Sequence, residues 1–411
     1  MFPAASLLTA LLLALSIAAT PVEVRDSPVT LPFAKRISDT GGPINLVQHD
    51  QARASALREH ADAISSGKLN RRTASIPVTN EAVSYIASVG VGSPATYYNL
   101  IVDTGSSNTW VGASTPYVKT STSTATGEAV SVTYGSGSFS GEEYYDTVTL
   151  GSGLTINSQS IGVASRSTGF NGVDGIVGIG PVDLTQGTLT NEPSTTIPTV
   201  TDNLYTQGTI SQEVIGVFFA PTTSTSSTNG ELTFGGVDTT KYTGTLSYTP
   251  LTTTYPASYY WGINESITYG STTILSETAG IVDTGTTLIL LASNAYSAYQ
   301  KATGATLDRT TGLLRITSTQ YNALQNLNFN IGSVTYALTP NGQIWPRTLN
   351  TYIGGSSSYI YLIVNNLGTP SGQGLDFING QSFLERFYSV FDTTNSRVGF
   401  ATTSFTDATS N

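Results

Sequence analysis

The sequence predicts an all-β chain built from two related halves, and three observations carry that prediction. Across its 411 residues the hydrophobic runs are short and β-branched, Gly, Ser, Thr and Tyr are abundant, and only 11% of residues are charged. That pattern suits strands and tight turns better than long helices. Residues 101–111 read Ile-Val-Asp-Thr-Gly-Ser-Ser-Asn-Thr-Trp-Val, a buried strand that ends in a tight turn bearing an acid. Residues 280–288 read Gly-Ile-Val-Asp-Thr-Gly-Thr-Thr-Leu, the same signal 180 residues later. One such turn is a weak signal. Two, each behind Ile-Val and each followed by a hydroxyl residue, point to a duplicated lobe.

The N-terminal region differs from the rest. Residues 7–19 form an apolar run that ends in small residues, so residues 1–20 read as a secretory signal and the product as extracellular. The run is too short for a transmembrane anchor and no second one follows, so no membrane association is expected. Residues 49–64 are rich in Ala, Arg and Glu, good helix formers in a chain that is otherwise strand-like. Dibasic pairs stand at Lys35-Arg36 and Arg71-Arg72. Residues 21–72 are therefore expected to be a propeptide cut near Arg72 and absent from the mature fold. The plainer alternative is a solvated helix with incidental charges.

Charge and composition narrow the chemistry. Residues 1–72 carry a net charge of +2 and residues 73–411 a net charge of −12. The chain has no Cys, and its two histidines, His49 and His60, both precede residue 73. A Ser-His-Asp triad, a Cys-His pair and a His- or Cys-based metal site are thus excluded from the body. So acidic a body is not expected to bind nucleic acid. Carboxylates are the abundant acid–base groups that remain.

Along the body, residues 83–92 and 97–102 read as strands that lead to Asp103. Residues 130–141 read as two strands around a glycine-rich hairpin, and residues 174–180 as a buried strand punctuated by glycine. The Ser/Thr run 222–228 leads into Asn229-Gly230, a strong turn signal that predicts a hairpin loop there. The chain is expected to pass between lobes around residues 245–251, giving lobes of residues 73–248 and 249–411. A short helix is expected near residues 292–301. Asn264-Glu265-Ser266 is the one Asn-x-Ser/Thr sequon, which makes Asn264 a glycosylation candidate.

With both Asp-Thr-Gly turns, Tyr134-Gly135, Trp110 and the C-terminal Ile-Asn-Gly in order, residues 75–405 resemble the pepsin-type aspartic endopeptidases. The resemblance implies two related β-barrel-like lobes with a substrate cleft between them and one catalytic aspartate, Asp103 or Asp283, at the base of each. It assigns Gly105, Gly285, Ser106 and Thr286 to holding the carboxylates. It has Thr104 and Thr284 interlock beneath the site, and it makes residues around Tyr134 and Gly135 a flap with Trp110 as partner of the tyrosine. Two carboxylates in one site share a proton, so one can accept from water while the other donates to the peptide carbonyl. Neither a cofactor nor a metal is implied.

The resemblance also sets out the partners: protein and peptide substrates, pepstatin-type inhibitors, and the propeptide as an intramolecular inhibitor, with Lys68 the candidate to reach the aspartates. A monomer is expected, because one chain holds both half-sites. Some fungal relatives carry an aspartate at the flap position of Ser136; a serine there predicts cleavage between bulky apolar residues and not after lysine. Many relatives have Leu-Gly-Asp where this chain has Asn379-Gly380-Gln381, so local hydrogen bonding is expected to differ there. Activity is expected in acid, with loss toward alkaline pH. Two rival readings stay open, a carboxylate-pair glycosidase and a non-catalytic binding protein on the same fold.

Overall fold

The computed structural model describes residues 28–37, 42–67, 83–135, 137–151 and 153–411. The signal region 1–20, Lys68, Arg71-Arg72 and Ser136 lie outside the described residues. The first half contains β1 (Val29–Ile37), helix α1 (Leu46–Ser65), β2 (Val83–Val91), β3 (Thr96–Asp103), β4 (Thr109–Val111), β5 (Thr124–Thr133), β6 (Ser138–Gly151), β7 (Leu154–Thr168) and β8 (Gly175–Gly178). Helix α2 (Val200–Thr206) leads to β9 (Val214–Phe219), β10 (Ser226–Phe234) and β11 (Thr243–Pro250). The second half holds β12 (Gly262–Tyr269), β13 (Thr272–Val282), β14 (Ile289–Leu291), helix α3 (Ser293–Thr303), β15 (Thr306–Leu307), β16 (Leu314–Ile316), helix α4 (Ser318–Asn322), β17 (Leu327–Ile331) and β18 (Val334–Leu338). It closes with β19 (Ile360–Tyr361), β20 (Val364–Asn366), β21 (Phe377–Asn379), helix α5 (Gln381–Leu384), β22 (Phe387–Asp392) and β23 (Arg397–Thr402).

A thirteen-stranded sheet runs β11-β23-β22-β9-β10-β1-β2-β3-β8-β4-β7-β6-β5, and a seven-stranded sheet runs β18-β17-β12-β13-β21-β14-β20. The predicted duplication is visible in the pairings. β3, which ends at Asp103, runs parallel to β8, with β4 antiparallel on the other side of β8. β13, which leads to Asp283, runs parallel to β21, with β14 antiparallel beyond it. Each acidic turn therefore leaves a strand buried among others, which fixes its backbone on both sides. This is the bilobal all-β architecture expected from the sequence. The lobe boundary placed at 248/249 falls inside β11, a strand of the large sheet.

The N-terminal segment is not a solvated appendage. β1 is inserted between β10 and β2. Its Phe33 stands edge-on to Tyr85 and Phe219, at 5.3 and 5.1 Å between ring centroids. Lys35, half of the first dibasic pair, is buried and bonds Glu385 at 2.5 Å, and the Tyr85 hydroxyl donates to the same carboxylate at 2.7 Å.

Asn229-Gly230 is not at a hairpin tip. Both residues lie within β10, where the register against β1 shifts between Phe33 and Ala34 and leaves Asn229 as the bulged residue. A Cβ on Gly230 would stand 2.0 Å from the Phe33 ring, so glycine here admits an aromatic side chain rather than a reversal. Asn264 is exposed on β12, opposite Ala279.

Candidate active site

The two Asp-Thr-Gly turns meet back to back. Thr104 N–H donates to Thr284 Oγ1 at 2.9 Å, and Thr284 N–H donates to Thr104 Oγ1 at 2.9 Å. Each hydroxyl then reaches the opposite strand, Thr284 to the Val102 carbonyl at 3.0 Å and Thr104 to the Val282 carbonyl at 3.4 Å. The two lobes are thus locked to each other at the residue that follows each acid.

The carboxylates are held in matching ways. Gly105 N–H donates to Asp103 Oδ1 at 3.0 Å, and Gly285 N–H to Asp283 Oδ1 at 3.1 Å. Ser106 Oγ donates to Asp103 Oδ2 at 2.5 Å, and Thr286 Oγ1 to Asp283 Oδ2 at 2.6 Å. A Cβ on either glycine would come within 2.7 Å of the other lobe's aspartate, so the close pairing of the turns requires glycine at both.

Both acids are buried, and a cation lies between them. Arg53 of α1 donates from Nη2 to Asp103 Oδ1 at 2.5 Å and to Asp283 Oδ1 at 2.8 Å, and from Nε to Asp283 Oδ2 at 2.7 Å. Burial alone would raise the Asp283 carboxyl. The Arg53 charge and hydrogen bond, with Thr286 and Gly285, outweigh burial and hold it below its usual range. Burial likewise opposes the Arg53 charge, and the two carboxylates overcome it, so the guanidinium is firmly protonated.

Helix α1 delivers this cation through a buried stripe of Leu46, His49, Asp50, Arg53, Ala54, Leu57 and Ala61, which recurs at helical spacing. Asp50 accepts from the N–H groups of Thr287 and Leu288 at 3.1 and 2.7 Å, just beyond the Asp283 turn, and from His49 Nδ1 at 3.0 Å. His60 Nε2 lies 3.0 Å from the Leu184 carbonyl, and the Tyr260 hydroxyl donates to the Leu57 carbonyl at 2.6 Å. Sequence reasoning looked for a basic residue near the aspartates at Lys68 and missed Arg53. Its signal was present: charged residues at helical spacing within the Ala-, Arg- and Glu-rich segment 49–64.

A family model described as eukaryotic aspartyl protease matches residues 84–403. The chain belongs to the eukaryotic aspartyl protease family. Polyporopepsin of Irpex lacteus is 69% identical over 338 residues, covering 82% of this chain and 99% of that protein. Pepsin A of Sus scrofa is 30% identical over 340 residues, covering 77% and 80% of the two chains. The crystal structure of aspartic proteinase from Irpex lacteus superposes with a TM-score of 0.80 at 60% identity, covering 94% of this chain and 100% of that one. The chain is an aspartic endopeptidase, a hydrolase of the pepsin-like type.

In this protease the hairpin between β5 and β6 folds down on α1. Tyr134 N–H donates to the Gly137 carbonyl at 2.7 Å, and a Cβ on Gly135 would stand 2.2 Å from Arg53 Cα. Tyr134 and Trp110 belong to one buried apolar cluster. Phe170 stands edge-on to both rings, at 5.5 Å from Tyr134 and 4.8 Å from Trp110, while Phe139 stacks on Trp110 at 4.3 Å. At the departure noted in the C-terminal motif, Asn379 is fully buried and donates to Glu265, and Gln381 Nε2 donates to the Thr284 carbonyl at 2.9 Å.

Proposed function

We propose that this chain is the zymogen of a secreted aspartic endopeptidase that cleaves proteins and peptides between bulky apolar residues in acid. The observation that carries this reading is the Arg53 guanidinium, held between Asp103 and Asp283 by a helix that lies under the Tyr134 hairpin. The place where a water and a scissile peptide would sit is filled by the chain's own cation, so residues 21–72 act as an intramolecular inhibitor.

Catalysis falls to Asp103 and Asp283. Gly105, Ser106, Gly285 and Thr286 orient the carboxylates, and Thr104 and Thr284 fix the two turns. With Arg53 withdrawn, two like charges in one buried site cannot both ionise cheaply, and the pair retains one proton. One carboxylate takes a proton from water as that water attacks the peptide carbonyl, while the other donates its proton to the carbonyl oxygen. The Tyr134 hairpin closes over the substrate and excludes bulk water.

Acid releases the inhibitor. A carboxyl whose folded value is depressed contributes stability above its ordinary value and loses it as pH falls. The Asp283–Arg53 contact therefore holds at neutral pH and weakens below the ordinary 3.8 of an aspartate. Apolar specificity is supported by Leu57 of α1, which lies along the same hollow as Val132, Tyr134 and Leu184. Ser136 brings no charge to the flap. Secretion is supported by the apolar run at residues 7–19, and a monomer by two half-sites in one chain. Lobes of residues 73–248 and 249–411 complete the proposed organisation, with a cut near Arg72.

The test is to acidify the intact protein and follow cleavage of a denatured protein substrate with and without pepstatin, beside an Asp103→Asn chain. Cleavage that pepstatin abolishes, and an Asp103→Asn chain that stays uncut, are expected. An undiminished rate at about pH 8 contradicts the acid assignment. An Asp103→Asn chain that still matures in acid shows that another protease makes the cut.

A further inference from the structure

Residues 379–381 hold the Asp283 turn from beneath. Asp283 N–H donates to the Asn379 carbonyl at 3.1 Å. Asn379 pairs with Val282 on the strand that enters the turn and with Ile289 on the strand that leaves it. Its side chain is fully buried, and its Nδ2 donates to Glu265 Oε2 at 2.8 Å. Glu265, on β12, is 1% exposed. Each side chain has one oxygen left over: Glu265 Oε1 and Asn379 Oδ1 are buried without a hydrogen-bond partner among the described residues.

An ionised carboxylate can only accept, so it would leave both oxygens orphaned in the core. A single proton on Glu265 Oε1 supplies the donor that is missing. The amide oxygen of Asn379 is the acceptor that lacks one, and acid and amide then close a ring of two hydrogen bonds. We propose that Glu265 is the neutral member of an acid–amide pair with Asn379, and that this pair is a positioning element for Asp283.

No cation on the neighbouring strands offers Glu265 another partner. On β13, Glu277 is exposed. Asp376, just before β21, binds Thr278 Oγ1 at 2.6 Å and the N–H groups of Gly372 and Gln373. Asp283 is held by Arg53, and β14 and β17 carry no charged residue. Burial pushes the Glu265 carboxyl up to about 8, against the opposing pull of the Asn379 bond. A raised folded value means the pair is intact below the ordinary 4.5, and its stabilisation is lost as pH climbs through about 8. An anion formed there disturbs Asn379, and with it the carbonyl that takes the Asp283 N–H. Part of the loss at alkaline pH thus starts away from the two aspartates.

The test compares the wild type with Glu265→Gln, which preserves the two-bond ring and cannot ionise, and with Asn379→Leu, which removes the amide that bonds Glu265. On the full chain, independently of any maturation, a difference infrared spectrum at about pH 6 reads the protonated-carboxyl stretch, while on the acid-treated protein the rate of inactivation at about pH 8 reads the switch. On the acid-treated protein, kcat and KM are measured against pH. Glu265→Gln is expected to lose one protonated-carboxyl band, to inactivate about fivefold more slowly at the alkaline pH, and to keep its acid-side kcat within about twofold. Asn379→Leu is expected to lower kcat by about tenfold with little change in KM. An unchanged infrared band or an unchanged inactivation rate in Glu265→Gln overturns the neutral acid. Full kcat in Asn379→Leu overturns the positioning role.

Discussion

Arg53 puts a positive charge between two buried carboxylates that would otherwise repel. It does so from a position where each carboxylate also keeps its hydroxyl and glycine donors. Removing it takes the counter-ion away from a buried carboxylate pair, and breaking a buried ion pair by deleting one partner typically costs about 3–5 kcal/mol. Arg53→Leu is therefore expected to loosen α1 from the cleft and to give an uncut chain that binds immobilised pepstatin near neutral pH. The wild-type chain should bind it only after acid treatment. Equal retention of the two chains would show that Arg53 is not what keeps the site closed. Arg53→Lys separates charge from geometry, since one ammonium cannot reproduce the three hydrogen bonds of the guanidinium fork. It should fall between the two in pepstatin retention.

The elements around the site differ in how legibly they are written in the sequence. The twin turns were readable because strand, acid, glycine and hydroxyl recur in one order, and the structure joins them through Thr104 and Thr284. The flap was readable as a glycine-rich hairpin. The placement of the N-terminal segment was not, because its strand pairs with β2 and β10, whose distance in sequence no local pattern reports. Asn229-Gly230 misled for the same reason, since a bulge against Phe33 needs glycine as much as a reversal does. Within that segment, Lys35 meets Glu385 in the core, with Tyr85 as the second donor. Lys35→Met is expected to destabilise the uncut chain by about 3 kcal/mol. It should leave kcat/KM of the acid-treated enzyme unchanged, because the proposed cut near Arg72 removes the residue. Thermal melts of the two forms check this, and an equal loss in both would place Lys35 outside the removed segment. Asp50→Ala probes α1 in turn. It strips the Thr287 and Leu288 N–H groups of their acceptor, at about 1–3 kcal/mol, and should speed acid conversion about tenfold in a gel time course.

At the scale of the whole molecule, the charge pattern predicts greater stability in acid than near neutrality. Its body carries a net charge of −12 at neutral pH, and self-repulsion of that kind fades as carboxylates protonate. Buried acids add a more local term. Glu143 on β6 is 3% exposed; burial pushes it up to about 7, partly offset by Ser160 Oγ, which donates to it at 2.7 Å. A carboxyl whose folded value lies above its ordinary 4.5 stays protonated in the native state while the unfolded chain ionises. Its stabilisation is complete below the ordinary value and is lost as pH rises through about 7. At about 1.4 kcal/mol per pH unit, that span corresponds to about 3 kcal/mol. Glu143→Gln keeps an acceptor for Ser160 and removes the titration. The melting temperature of the variant is expected to match the wild type at about pH 4 and to exceed it by several degrees at about pH 7.5. Parallel melting curves for the two proteins across that range would show that Glu143 contributes nothing to the pH dependence of stability.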